Sequence, residues 1–324
     1  MNLPAAPVLF VVWIPLVVQG VLPAGLLIWL AWRRPRSRLS RMLGTLLVAT
    51  VIALVGTAGL WLALPWYLPV LYSVALAPAA LASSRRCAGL EVWPSGRREG
   101  VGAIALGALT VGCAALLLQA LAGRREPPGT VELALPLRAG TYLVANGGAR
   151  ELLNAHFATL TAARLRRWRG QSYGVDLVRL GPYGLPAAGF LPPDPAAYAI
   201  FGDTILAPCS GRVLGAEDGQ ADLRPPVADR QHLAGNHVLL RCGEVWVLLG
   251  HMQQGSVAVR PGDSVAAGRP VGRVGNTGNT TEPHLHVHAQ RPGTPTEPLS
   301  GEPVPIRFGS TYPSRGQRLR SAAP

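Results

Sequence analysis

The sequence predicts a chain in two parts: a multi-pass α-helical membrane region over residues 1–123, followed by a mainly antiparallel β domain. Three observations carry this. The first third is dominated by Leu, Val, Ala, Ile and Trp and contains uncharged runs long enough to cross a bilayer. Its arginines gather in two short loops between those runs. From residue 205 onward, short apolar runs are separated by Gly, Pro, Asp and Asn at spacings that suit strands rather than helices.

Taken in order, residues 7–32 are uncharged and span-length. A cleaved signal peptide would need a short apolar core after a basic start, and this run is longer with nothing basic before it. Residues 42–65 form a second span and residues 101–123 a fourth. The third, residues 66–82, is at the short limit and holds two prolines. The loop 33–41 carries five Arg and no acid, and the loop 83–100 carries four Arg and two Glu. The positive-inside rule places both in the cytoplasm. Trp61, Trp66 and Tyr67 then sit at the outer interface. With four spans the C-terminal domain faces outside; if the third run does not insert, that domain faces the cytoplasm. Much of the net charge of +13 is thus membrane topology. The partner it implies is a lipid bilayer, not nucleic acid.

A Pro-containing linker, residues 124–130, leads to residues 131–170, where VELALPLRAGTYLVANGG predicts two short strands and residues 152–169 one helix. Residues 171–292 read as a β core and residues 293–324 as a basic C-terminal tail. Cys209 and Cys242 lie in or beside predicted strands. In an oxidising compartment they can pair as a disulfide; two buried thiols are the alternative.

The β core holds the chemistry. In PHLHVH, His284, His286 and His288 recur at every second position, which puts all three on one face of a strand. Adjacent imidazoles make sense if one binds a metal and its neighbour handles a proton or an oxyanion. Asp176 lies between apolar residues in GVDLV, where an unpaired carboxylate would be expensive to bury. His251 ends the apolar run WVLLGHM. No HExxH occurs, so a helical Glu general base is not on offer.

The order GVD, GHM, GDSVAAG, GNTG and PHLH resembles the lysostaphin-like (LytM-type) zinc metallopeptidases, which hydrolyse peptide bonds in bacterial peptidoglycan. The resemblance covers roughly residues 171–290. It implies a lysostaphin-like β-sheet core, Zn2+ as cofactor, peptidoglycan as partner, and a place in the cytoplasmic membrane of a bacterium with the C-terminal domain on the extracytoplasmic side. Asp176 and His286 match two zinc ligands. His251 and His284 match the non-ligand pair that orients water and stabilises the tetrahedral intermediate. The family's third ligand, a His four residues before the Asp, is Ser172 here. Either the site is degraded or another residue completes it. A branch of the family with Asn-x-His before Gln-x-Tyr-x-x-Asp matches Asn154, His156, Gln171, Tyr173 and Asp176, which makes His156 the candidate ligand. His288 lies one step further along the strand; His232 and His237 read as structural or exposed. Two other readings stand beside the enzyme: a catalytically inactive wall-binding or regulatory module, motivated by Ser172, and a lipoyl-like adaptor, because VRPGDSVAAGRPVGRVG resembles such a hairpin. All thirty basic residues are Arg, so a lysine-linked carrier is excluded.

Overall fold

The computed structural model describes residues 13–87 and 89–321. They form two compact units, divided after Leu121. The portion of the first apolar run before Trp13 lies outside the described residues.

In the first unit the helices Trp13–Trp32, Arg38–Ala58 and Arg97–Gly123 are each long and apolar enough to cross a membrane. The short third run also forms a helix, Leu68–Arg85, but with Pro78 inside it and four polar or charged positions in its length it is not among those three. The second helix begins inside the Arg-rich loop rather than at Met42. Ser37 is extended, and its hydroxyl oxygen accepts the Ser40 N–H at 3.2 Å, which caps the helix at Arg38. Leu27, Leu30, Val48, Ile52 and Ala79 pack against one another. Ile104, Val111 and Leu118, seven residues apart on one face of Arg97–Gly123, stand 66–73% exposed.

The second unit is built on a nine-stranded sheet. Its strands are β2 (Gly140–Asn146), β3 (Val175–Arg179), β5 (Gly211–Glu217), β6 (Asn236–Cys242), β7 (Val245–Met252), β8 (Ser264–Val265), β10 (Leu285–Gln290), β11 (Pro303–Val304) and β13 (Arg318–Ser321). The order is β13-β2-β3-β10-β7-β6-β5-β8, with β11 also on β10, and every pairing is antiparallel. Two small ribbons complete it: β1 (Val131–Leu133) parallel to β12 (Ile306–Phe308), and β4 (Thr204–Leu206) antiparallel to β9 (Pro270–Arg273). The runs NHVLLRC and VWVLLGHM lack clean alternation because both of their faces are buried. Val238, Leu240, Val247 and Leu249 enter the main core. Leu239, Trp246 and Leu248 pack on the other face under Trp168 and Leu299.

Two expectations change. The helix predicted over residues 152–169 is broken into the 3-10 turn Ala155–Phe157, one α-turn Ala158–Thr161 and the 3-10 stretch Ala163–Gln171. Ala162 is extended (φ −90°, ψ 117°), which ends the α-turn before a longer helix can form. The segment read as a basic tail is folded: residues 303–321 supply three strands, because Ile306, Phe308 and Leu319 are apolar enough to join the main core.

Cys209 and Cys242 are joined as a disulfide, with Cα atoms 5.9 Å apart. Their separation of 33 residues implies a contribution of about 3–4 kcal/mol from restricting the unfolded chain. Replacing both by Ser should therefore lower the unfolding free energy by about that amount in denaturant titrations. Unchanged stability would remove this role from the bond.

Candidate metal centre

Strand β10 runs between β3 and β7, and this order builds the site. His286 stands opposite Asp176 on one side and Gly250 on the other. Leu285, Val287 and Ala289 point into the main core, so His286 and His288 point to the opposite face. Gly250 keeps the ground beside His286 open; a Cβ there would stand 3.2 Å from the Ala234 carbonyl and from Leu248 Cδ2.

His251 follows Gly250 and leaves the strand alternation. Its φ is +60°, a left-handed backbone that costs a non-Gly residue about 1–3 kcal/mol. Its ring lies 4.6 Å from that of His284 and 5.8 Å from that of His286. GNTG holds it there. The Gly275 N–H donates to the His251 carbonyl, and His251 Nδ1 lies 2.8 Å from the Thr277 carbonyl. Thr277 is buried, accepts the Asn236 N–H and donates to the Met252 carbonyl. His284 is oriented in the same manner: its Nδ1 is 2.9 Å from the Glu282 carbonyl and 3.1 Å from Thr280 Oγ1.

The broken helix delivers His156. Asn154 caps the first 3-10 turn by accepting the His156 N–H, and its amide donates to the carbonyls of Gly148 and Gly174. The turn is thereby tied to the chain entering β3. His156 Nε2 then lies 2.9 Å from Asp176 Oδ2, and the ring meets that of His286 edge-on at 4.7 Å. Gly174 makes the approach possible: a Cβ there would be 2.7 Å from His286 Cε1 and 3.2 Å from His156 Cδ2. Ser172 faces elsewhere. It is fully buried, its hydroxyl donates to the Arg169 carbonyl, and it lies 2.8 Å from Thr159 Oγ1. Tyr173 stacks edge-on against Phe157 behind the turn.

Asp176 is the hub. One oxygen takes His156 Nε2 and the Asn146 amide, each at 2.9 Å. The other has His286 Nδ1 at 2.8 Å and His284 Nε2 at 3.6 Å. Burial alone would raise this carboxyl; the charges of His156 and His284 and the bonds from His156 and His286 hold it well below the usual carboxylate range. Asn146 is itself aimed by Arg315, whose Nη2 donates to Asn146 Oδ1 at 2.7 Å while its other nitrogens bond the Ala145 and Leu152 carbonyls. Burial pushes that guanidinium down to about 10. Sequence reasoning missed Asn146 and Arg315, because neither sits within a motif.

His156, Asp176 and His286 each offer a donor atom within 4.8 Å of the other two. His251 and His284 stand beside that group. His288 is fully buried behind His286, with Nδ1 3.0 Å from His286 Nε2. His232 pairs with Asp229 at the surface, and His237 Nδ1 contacts the Gly235 carbonyl; both are apart from the cluster.

Burial pushes His251 and His288 well below the ordinary imidazole range, and His286 down to about 4. These groups bind protons more weakly folded than unfolded. Their contribution to stability is therefore complete above the unfolded value of 6.5 and is lost as pH falls from there towards 4. Asp176, also depressed, acts in the same direction at lower pH. Denaturant titrations of the metal-free protein should show stability falling with acidification across that window. A flat profile would contradict the neutral, buried state of these rings.

Residues 196–298 match the model of peptidase family M23. The match takes in His251, His284 and His286; His156 and Asp176 lie before it. Among solved structures, the chain is similar to the catalytic domain of the prophage-encoded M23 protein EnpA from Enterococcus faecalis, at 24% identity over 43% of this chain and 76% of that one, with a TM-score of 0.27. It is similar to the catalytic domain of the antimicrobial peptidase lysostaphin from Staphylococcus simulans, at 22% identity over 40% and 74%, TM-score 0.26. It is also similar to a zinc-containing peptidase from Vibrio cholerae, at 17% identity over 47% and 30%, TM-score 0.24. The family match agrees with the motif order: residues 196–298 of the C-terminal unit match peptidase family M23, and GHM, GDSVAAG, GNTG and PHLH all fall within them.

Proposed function

We propose that this protein is a membrane-anchored zinc endopeptidase that hydrolyses peptide bonds in peptidoglycan outside the cytoplasmic membrane. The observation that carries the reading is the convergence of His156, Asp176 and His286 donors, with His251 and His284 beside them. The donor set fits the metal: two imidazole nitrogens and a carboxylate oxygen are ligand types that zinc accepts, and three protein ligands leave one position open for catalysis. Bound there, zinc supplies a water of lowered pKa and polarises a carbonyl.

The remaining work falls to the chain. His251 is neutral, and Nδ1 donates to the Thr277 carbonyl, so its Nε2 lone pair is free to take a proton from the attacking water. The Nδ1 of His284 lies 2.9 Å from the Glu282 carbonyl, which turns its Nε2 toward Asp176 and the side where an oxyanion would develop. His156 is 20% exposed, more than His284 or His286, and marks the open side where a peptide enters. The inactive-module reading rested on Ser172. With His156 beside Asp176, the donor that Ser172 fails to provide comes from another segment.

Two features support the placement. The outward Ile104, Val111 and Leu118 give Arg97–Gly123 an apolar surface of the kind lipid receives. The Cys209–Cys242 bond suits an oxidising compartment, which is also where peptidoglycan lies. The helix Leu68–Arg85 is the deciding segment: crossing, it puts both arginine loops inside and the peptidase unit outside.

A reporter active only in the cytoplasm, fused after Thr130, should stay silent; a strong signal would reverse the topology. For the chemistry, His286→Ala should abolish both zinc binding and peptidoglycan hydrolysis. His284→Ala should keep the metal and lose activity by roughly a hundredfold or more, because it acts on charge that develops in the transition state. His156→Ala discriminates most sharply: full zinc occupancy and wild-type turnover in this variant would refute its role as the third ligand.

A further inference from the structure

The proposed chemistry leaves one imidazole of β10 without a task. His288 is fully buried, and its ring lies 5.2 Å from that of His286 at an angle of 60°. Its Nδ1 is 3.0 Å from His286 Nε2, a hydrogen-bond distance. Its ring has a second neighbour in the Gln290 side chain, with which it shares a hydrogen bond. Packing alone does not explain this residue. Leu248, opposite it on β7, shows that the face accepts an apolar side chain, whereas an imidazole here brings two buried ring nitrogens that both need partners.

The ring chemistry does explain it. A neutral imidazole carries one N–H and one lone pair. Two neutral rings sharing one hydrogen bond must offer one of each, so the tautomer of either fixes that of the other. For the Nδ1 of His286 to present a lone pair beside Asp176, its proton must sit on Nε2. The group placed to receive that proton's hydrogen bond is the Nδ1 of His288.

We propose that His288 is a positioning residue: by accepting the Nε2–H of His286 at its own Nδ1, it holds the His286 ring and turns its Nδ1 lone pair to a divalent metal shared with Asp176 and His156. This rests on the reading of His286 as a ligand. The arrangement also runs in reverse. With His286 Nδ1–H donating to Asp176 at 2.8 Å, His286 Nε2 accepts from His288 Nδ1–H. Passing between the two states moves the proton of each ring from Nδ1 to Nε2. Each ring keeps one proton, and no net charge enters a site where charge is poorly solvated. A purely apolar residue at 288 would leave the His286 Nε2–H facing a neighbour that cannot accept it.

The test compares H288F, which keeps ring volume without an acceptor, with H288N, whose Oδ1 occupies the place of Nδ1 and accepts the same proton. Zinc affinity is measured on the full detergent-solubilised chain by competition with a chelator. H288F should bind zinc ten- to a hundredfold more weakly than wild type, and H288N should return to within about threefold. Equal affinity of H288F and wild type overturns the proposal, as does an H288N chain as weak as H288F. Thermal melts of the metal-free variants separate a folding defect from a ligand defect. If H288F does not fold, or if the wild-type chain binds no zinc, nitrogen-15 NMR of the metal-free wild type decides. It should show His286 and His288 as neutral tautomers joined by one hydrogen bond, and absence of that coupling overturns the inference. Loss of zinc binding in the wild type with the coupling intact counts instead against the metalloenzyme reading.

Discussion

The buried carboxylate of Asp176 is the constraint on which the site depends. A charge in the middle of a sheet face is expensive unless it is fully hydrogen-bonded. Its hydrogen-bond donors arrive from three places in the chain, Asn146 at the end of β2, His156 from the 3-10 turn and His286 within β10, and His284 from the loop before β10 stands 3.6 Å away. None of these contacts forms unless β3 lies between β2 and β10. The strand order is therefore as much a part of the electrostatics as the side chains are. The dependence extends to the last strand, because β13 pairs with β2 and the chain just before it carries Arg315, which orients Asn146.

The second half of the site is held by backbone geometry rather than charge. His251 adopts a left-handed conformation that a strand would not choose, and the reason lies outside it, in Gly275 and Thr277. Thr277 bonds to both Asn236 and Met252, so the GNTG loop, the start of β6 and the end of β7 lock one another. This frame fixes the His251 ring beside those of His284 and His286.

Much of this was legible in the sequence, and the parts that were not share a physical cause. The period-two histidines, the apolar setting of Asp176 and the His at the end of WVLLGHM are local patterns, and local patterns report which face a side chain takes. The two-part organisation was equally plain from where the arginines and the uncharged runs fall. The apolar spacing of residues 152–169 suits a helix, whereas the placement of Asn154 depends on tertiary partners at Gly148 and Gly174, and the extended Ala162 interrupts the helix. The strands of residues 303–321 are two to four residues long and too short to show a period. Asn146 and Arg315 lie 169 positions apart and meet only through strand pairing.

Ser172 carries the more general point. In sequence it stands where a ligand is expected and so reads as a defect. In space its hydroxyl is absorbed by Thr159 and Arg169, and an imidazole from sixteen residues upstream reaches Asp176 instead. The exchange has local requirements: a turn capped by Asn154, a chain kink that brings it back over β3, and a glycine at 174 because any side chain there would strike His286 and His156. Which donors meet the carboxylate is set by the packing around it, not by their distance from it along the chain. A search for the usual spacing alone would discard this protein, whereas the three supporting residues, Asn154, Gly174 and Thr159, make sense only if His156 is meant to stand where it does.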